Sequence, residues 1–253
     1  MKHYGYIPDA PKDKDFIFGA QNLPDEILRP LGDWYNYLPE FEHQRQNIET
    51  QACVSFGTNS ALEMIHKARY KKEPNYSDRY LAKMSNTTPY GNSPRTVADT
   101  IRKIAGEIDE KEWPFEGESW EDYYKEIPDD ISKKGFKWLE NYDFGYEFVK
   151  PEDIKTALPY SPLGVAVNAW EQNDSGEYVS RGAENHWCVL VGYDDYDRPL
   201  VFDSYEQQLK VLSKDSELKI LIRYYLKKKE NLEEKKESII DKIIKWFRSI
   251  IKI

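Results

Sequence analysis

Apolar residues recur at helical spacing in the first half of the chain and as strand-like runs in the second. In residues 53–70, CVSFGTNSALEMIHKARY, positions Val54, Ala61, Leu62, Ile65 and Ala68 mostly follow the helical period and predict the first long helix. Residues 77–84 predict a shorter helix with Ser77 as N-cap, and residues 94–105 a third with Pro94 in its first turn. Between them 85–93, SNTTPYGNS, reads as a turn-rich loop. Residues 106–150 are polar and aromatic, with a short helix expected around 129–141. The character then changes. The runs 163–169 (LGVAVNA), 186–193 (HWCVLVGY), 199–204 (PLVFDS) and 218–226 (LKILIRYYL) are β-branched and aromatic and are separated by Asp, Gly and Pro turns. They predict a sheet of at least four strands.

Helices first and strands second imply an α+β fold with two segregated halves and a cleft between them. Residues 1–45, rich in Pro, Gly, Asp and aromatics, read as an extended N-terminal arm. Residues 46–226 form the domain, its helical lobe covering about 46–145 and its β lobe about 146–226. Residues 227–253 are a third unit, a charged spacer followed by an amphipathic helix. Ile239, Ile240, Ile243, Ile244, Phe247, Ile250 and Ile251 share one face, and Lys242, Lys245, Arg248 and Lys252 the other. With Trp246 beside the apolar face, residues 238–253 are expected either to dock on a membrane surface or partner helix or to pack on their own domain.

Charge and composition narrow the partners. The net charge is −9, yet residues 226–253 carry nine Lys/Arg against five Asp/Glu, so the body is strongly acidic and no nucleic-acid partner is expected. Two cysteines, Cys53 and Cys188, support neither a disulfide framework nor a four-cysteine zinc site. No metal or cofactor is expected. The N-terminus lacks the apolar core of a secretory signal, and no eighteen-residue apolar stretch occurs. A cytoplasmic protein is expected, with the tail allowing peripheral membrane association.

Cys53 opens the first long helix, where unpaired N–H groups and the helix dipole favour thiolate over thiol. A thiolate needs a base, typically histidine, and the chain has four: His3, His43, His66 and His186. His186 opens the strand HWCVLVGY, where a side chain can face a cleft while the strand is buried. Its second ring nitrogen needs an orienting acceptor, and Asp203 ends the strand PLVFDS. A hairpin pairing 186–193 with 199–204 brings these two strand ends together. Each residue alone reads more simply as a buried thiol, a structural imidazole and a turn former; their occurrence together in the order Cys, His, Asp carries the assignment. Cys188, one position beyond Trp187, reads as core, and His66 as a satisfied helical residue.

These segments resemble the papain-like cysteine peptidases. CVSFGTNSALE is similar to that family's active-site helix, CWAFSAxGALE, with Phe56, Ala61, Leu62 and Glu63 also matching. HWCVLVGYD resembles HAVxxVGYG, and VFDSY resembles IKNSWG. Residues 91–115 are similar to the family's Gly-rich turn, helix and GGIxxExxYPY segment. The opening GYIPDAPKDKDF resembles the short arm GWIPDxPDxRDY of bacterial relatives. The resemblance covers about residues 4–225. It implies a two-lobed fold with an N-terminal helical half, a C-terminal antiparallel sheet and the active-site cleft between them. It implies Cys53 as nucleophile, His186 as catalytic histidine and Asp203 in place of the orienting Asn.

An oxyanion-hole Gln is implied upstream of the cysteine. In PEFEHQRQN, Gln44 aligns with it, with Gln46 and Asn47 as alternatives. Gly91 is implied to let substrate backbone approach, and Asn185 and Tyr205 to line the substrate site. The family's CGSC is TQAC here, so its usual structural disulfide is missing, and a relative without the family's long pro-segment is expected. An alternative register would put Phe56 at the nucleophile and leave the protein inactive, but it breaks the other matches. The implied activity is hydrolysis of a peptide or protein substrate through an acyl-enzyme, in a bacterial or phage setting. A cell-wall or isopeptide-directed cysteine hydrolase and a catalytically inactive papain-like binding module are the alternatives.

Overall fold

The computed structural model describes residues 4–20, 23–44 and 46–229; the amphipathic helix expected over 238–253 lies outside the described residues. Among the described residues no helix is long and apolar enough to cross a membrane.

Helix α1 runs over Cys53–Tyr70, the bounds that its pattern predicts, and stops where Lys71 turns left-handed and returns its N–H to Lys67 O. Every residue from Cys53 to His66 is buried, polar ones included, so this helix is a central rod. Two of its polar residues are matched inside: Ser60 donates to Phe56 O and to Glu42, and Thr58 meets the Tyr224 hydroxyl. Helix α2 (Asp78–Met84) is capped by Ser77, whose side chain accepts from Tyr80 N. Helix α3 (Pro94–Thr100) has Pro94 at its start and Ser93 as its cap, and continues as a π turn over Ile101–Ala105. Helices α4 (Trp120–Tyr123) and α5 (Asp129–Asn141) complete the helical half.

The second half is a sheet. Strands β1 (Tyr142–Val149), β2 (Leu163–Val167), β5 (His186–Tyr193), β6 (Pro199–Asp203), β7 (Gln208–Val211) and β8 (Leu221–Lys228) form one six-stranded antiparallel sheet in the order β1-β8-β2-β5-β6-β7. Helix α6 (Ile154–Ala157) lies between β1 and β2, and β3 (Glu171–Gln172) with β4 (Tyr178–Val179) makes a separate small hairpin. The sheet has two strands, β1 and β7, beyond the four that the pattern marks, and starts at Tyr142, inside the stretch that reads as polar. The reason is visible in the register. Glu147 on β1 lies opposite Arg223 on β8, and both are buried with their charges 3.5 Å apart. A buried ion pair hides an inward-facing strand from a hydrophobicity pattern.

The arm is extended, as expected, and it is tied down. Arg95 on α3 holds Asp9 and Asp15, Phe16 and Phe18 exchange backbone hydrogen bonds with Phe148 on β1, and buried Trp34 donates to Leu158 O.

The helical half also encloses carboxyl groups. Glu42 hydrogen-bonds Glu63 on α1, and Asp78, Glu107 and Glu110 lie near. Burial above all, then mutual repulsion, raises Glu42, Asp78 and Glu107 well above the ordinary carboxyl range; burial likewise carries Glu63 to about 8 and Glu110 to about 7. Because the folded values lie above the unfolded ones, this contribution to stability is complete below about pH 4.5 and is lost as pH rises through 7 to 8. The melting temperature is therefore expected to be lower by about 5 °C at pH 8.5 than at pH 5.5. A flat profile across that window, read by scanning calorimetry, would contradict the burial of protonated carboxyls.

Candidate active site

The β5–β6 hairpin and the start of α1 build the site. In the hairpin Val189 lies opposite Phe202, which sets His186 near Asp203 at the adjacent strand ends. His186 Nε2 is 2.7 Å from Asp203 Oδ1, and both side chains are fully buried. An ionised carboxylate only accepts, so the proton lies on Nε2. Nδ1 is then the open ring nitrogen; it is buried and has no hydrogen-bond partner.

Cys53 is the first residue of α1 and is fully buried. The Trp187 and Val54 backbone N–H groups donate to its sulfur, which places the thiol beside the start of β5. Burial pushes the thiol well up, the charges of Asp203 and Glu49 add to this, and the two N–H groups only partly offset it. With the cleft closed, burial outweighs the helix end that favours thiolate.

Asp203 is saturated with donors. Oδ1 takes the His186 ring and the Tyr205 N–H at 3.0 Å. Oδ2 takes Trp170 Nε1 at 2.9 Å and Lys210 Nζ at 2.6 Å. Burial alone would raise this carboxyl, but the charge and hydrogen bond of His186, and then those of Lys210, hold it well below the usual carboxylate range.

Of the three upstream amides, only Gln44 is buried. Its backbone N–H is fixed on Ser204 O at 2.9 Å, and its Nε2 donates to the Tyr4 carbonyl at 3.3 Å. Gln46 and Asn47 are exposed. The Asn185 side chain turns away to bond both backbone polar groups of Ala169, while its carbonyl accepts from Tyr4 N at 3.3 Å. Tyr205 is buried and donates its hydroxyl to Glu49. Gly91 has φ +94, and a Cβ there would lie 1.9 Å from Gly5 O. Close backbone approach at Gly91 is thus present, and the approaching strand is the chain's own arm.

Residues 4–7 run past His186 and pair with Asn92. The Tyr4 ring stands 4.8 Å from His186 and 4.9 Å from Tyr205. Asn92 N donates to Gly5 O and Ile7 N to Asn92 O, each at 2.9 Å, in a parallel bridge. Tyr6 is fully buried and stacks on Trp187 at 5.8 Å. Sequence reasoning puts an arm here but has no signal that it enters the cleft; Tyr4, Trp170 and Lys210 are missed by it altogether.

The remaining candidates lie outside the dyad. Cys188 is buried on β5 with its sulfur 3.9 Å from Asp203 Oδ1. His66 bonds Lys72 O at 2.9 Å and the Tyr142 hydroxyl at 3.3 Å. His186, Cys188 and Asp203 bring potential metal-ligand atoms within 4.8 Å of one another, but the Lys210 ammonium already neutralises the carboxylate.

The architecture matches solved structures. The cysteine protease and lectin-like domains of Cwp84, a surface-layer-associated protein of Clostridium difficile, align with a TM-score of 0.63 at 16% identity, covering 90% of this chain and 57% of that one. Procathepsin L 3 from the larval midgut of Tenebrio molitor aligns at 0.56 with 14% identity, over 83% of this chain and 73% of that one. Bromelain from Ananas comosus aligns at 0.52 with 15% identity, over 77% of this chain and 98% of that one. The chain thus spans little more than half the length of the Cwp84 chain. No protein-family model and no curated protein matches the sequence. The chain has the fold of the papain-like cysteine proteases, a mixed α+β structure with a helical first half and an antiparallel sheet.

Proposed function

We propose that the protein is a cysteine peptidase that cleaves peptide or protein substrates through an acyl-enzyme on Cys53. One observation carries this reading: a buried His186–Asp203 pair leaves Nδ1 open at the strand start whose next N–H bonds the Cys53 sulfur.

The roles follow from that arrangement. The Cys53 proton passes to His186 Nδ1, and the thiolate attacks the substrate carbonyl carbon. The resulting oxyanion is met by the Gln44 amide and the Cys53 N–H, with the Gln44 amide already donating to a carbonyl oxygen, that of Tyr4. His186 then gives its proton to the leaving amine. It next takes one from water, which attacks the thioester and releases the carboxylate and the free thiol. Asp203 fixes the ring and its tautomer throughout. Asn92, next to Gly91, offers backbone hydrogen bonds to substrate where it now pairs with Gly5 and Ile7, and the Asn185 carbonyl and Tyr205 ring line the adjoining space.

Alkylation with a small thiol-directed electrophile at neutral pH, mapped by mass spectrometry, tests the reading. Cys53 is expected to react faster than Cys188, and the excess to vanish in His186→Ala. Equal rates at the two cysteines would favour a catalytically inactive binding module instead.

A further inference from the structure

The orienting residue of this site is a carboxylate, and a carboxylate brings a full negative charge into a dry interior. Lys210 answers it. Its side chain is fully buried on β7, the edge strand next to β6, an unusual place for an ammonium group. Nζ lies 2.6 Å from Asp203 Oδ2 and 2.7 Å from Glu206 Oε2, and over the Trp170 and Tyr178 rings at 4.9 and 5.3 Å. Trp170 bonds the same Oδ2, and its ring stands at 86° to that of His186. One carboxylate oxygen therefore serves the imidazole, and the other is reserved for Lys210 and Trp170.

We propose that Lys210 is a positioning residue for the catalytic pair, and that Asp203 and Lys210 together act as a charge-balanced unit orienting His186. This rests on His186 being the base of Cys53. The carboxylate by itself would stabilise the imidazolium strongly and leave it a weak acid toward the leaving amine. The lysine behind it withdraws part of that stabilisation while keeping the carboxylate ionised and its rotamer fixed. The other charged or titratable groups facing this unit are Glu206 on the β6–β7 turn, Glu49 through the Tyr205 hydroxyl, Tyr4 from the arm, and Cys53 and Cys188. Sequence reading misses Lys210 because a lysine in QLKV looks like an outward-facing residue of an edge strand.

The test is a two-residue cycle read by the pH dependence of the His186 ring. The ring is followed by NMR in the full chain and assigned by the signal that His186→Ala lacks. Lys210→Met is expected to move the imidazole midpoint up by about one pH unit, since a positive charge is removed from behind the carboxylate. Asp203→Asn is expected to move it down by a similar amount, because Lys210 then keeps only Glu206 as counter-charge and the amide NH2 meets the Trp170 and Lys210 donors. The double variant Asp203→Asn/Lys210→Met is expected to return the midpoint to within about half a unit, and to recover about tenfold of the peptidase activity that Asp203→Asn loses. Lys210→Arg, which keeps the charge, is expected to hold the midpoint. Should Lys210→Met not fold, the comparison of Asp203→Asn with the double variant still decides. Midpoints that stay put in Lys210→Met, or a double variant no more active than Asp203→Asn alone, would reduce Lys210 to a structural ion pair and overturn the proposal. The ring titration needs no turnover, so a chain that hydrolyses nothing yet shows these shifts would refute the peptidase reading and leave the Lys210 unit standing.

Discussion

Displacing residues 4–7 from the cleft is expected to raise the rate at which Cys53 reacts, with electrophile or substrate, by about 100-fold. The Tyr4 carbonyl holds the Gln44 amide, its N–H takes the Asn185 carbonyl, and its ring covers His186. On the proposed mechanism a substrate that uses Gln44 and His186 has to displace these contacts. A site open only a small fraction of the time reacts in proportion to that fraction. Burial is the largest cause of the raised Cys53 thiol, so water that enters when the arm leaves is expected to act a second time. Opening the cleft lowers that cost and increases the thiolate at neutral pH. Deleting residues 1–7 is the direct form of the experiment, but it also removes Tyr6, whose stacking on Trp187 contributes about 1 kcal/mol beyond its burial. Gly5→Ala displaces the same residues without shortening the chain, and the Tyr6 stack is given up there as well. At φ +100 an added Cβ would meet Gln51 O at 2.1 Å, so the arm has to leave while Tyr6 remains in the chain. Equal Cys53 reactivity in the parent, the deletion and Gly5→Ala would mean that the arm does not limit access.

The second large effect is the loss on removing either half of the dyad. Cys53→Ala and His186→Ala are each expected to lower kcat/KM by at least about ten-thousand-fold, and the double variant to be little worse than either alone. Groups that pass one proton between them fail together, and this non-additivity separates a catalytic pair from two residues that merely line a pocket. The stability cost should differ. Cys53→Ala removes one sulfur from a buried position, whereas His186→Ala leaves Asp203 Oδ1 short of its closest donor. The melting temperature is thus expected to fall further for the histidine variant than for the cysteine variant.

Much of the helical half was legible. The pattern in 53–70 predicts both ends of α1, and Ser77 and Pro94 mark the starts of α2 and α3, because capping and ring geometry act locally. The His186–Asp203 contact was legible too, since two strands joined by a short Asp-rich turn leave few choices for the register. What escaped depends on distant partners. Strand β1 was hidden because Glu147 and Arg223 neutralise each other across a strand pair whose members lie far apart in sequence. Lys210 escaped for the same reason, its burial being stabilised by Asp203 on β6 and Glu206 on the adjoining turn. Gln44 could be narrowed only to one of three amides, since the loop before Cys53 carries no period. Occupation of the cleft by the arm comes from backbone pairing of Gly5 and Ile7 with Asn92, which side-chain pattern does not encode.

The central claim is that the Cys53 sulfur carries the acyl group. The arm-deleted chain, mixed with excess activated peptide ester, quenched in acid within the first turnover and digested, tests it at the atom concerned. A peptidyl adduct is expected on the fragment containing Cys53, absent in Cys53→Ala and chased to free acid when the quench is delayed. An adduct on the Cys188 fragment, or hydrolysis that continues undiminished in Cys53→Ala, would contradict it.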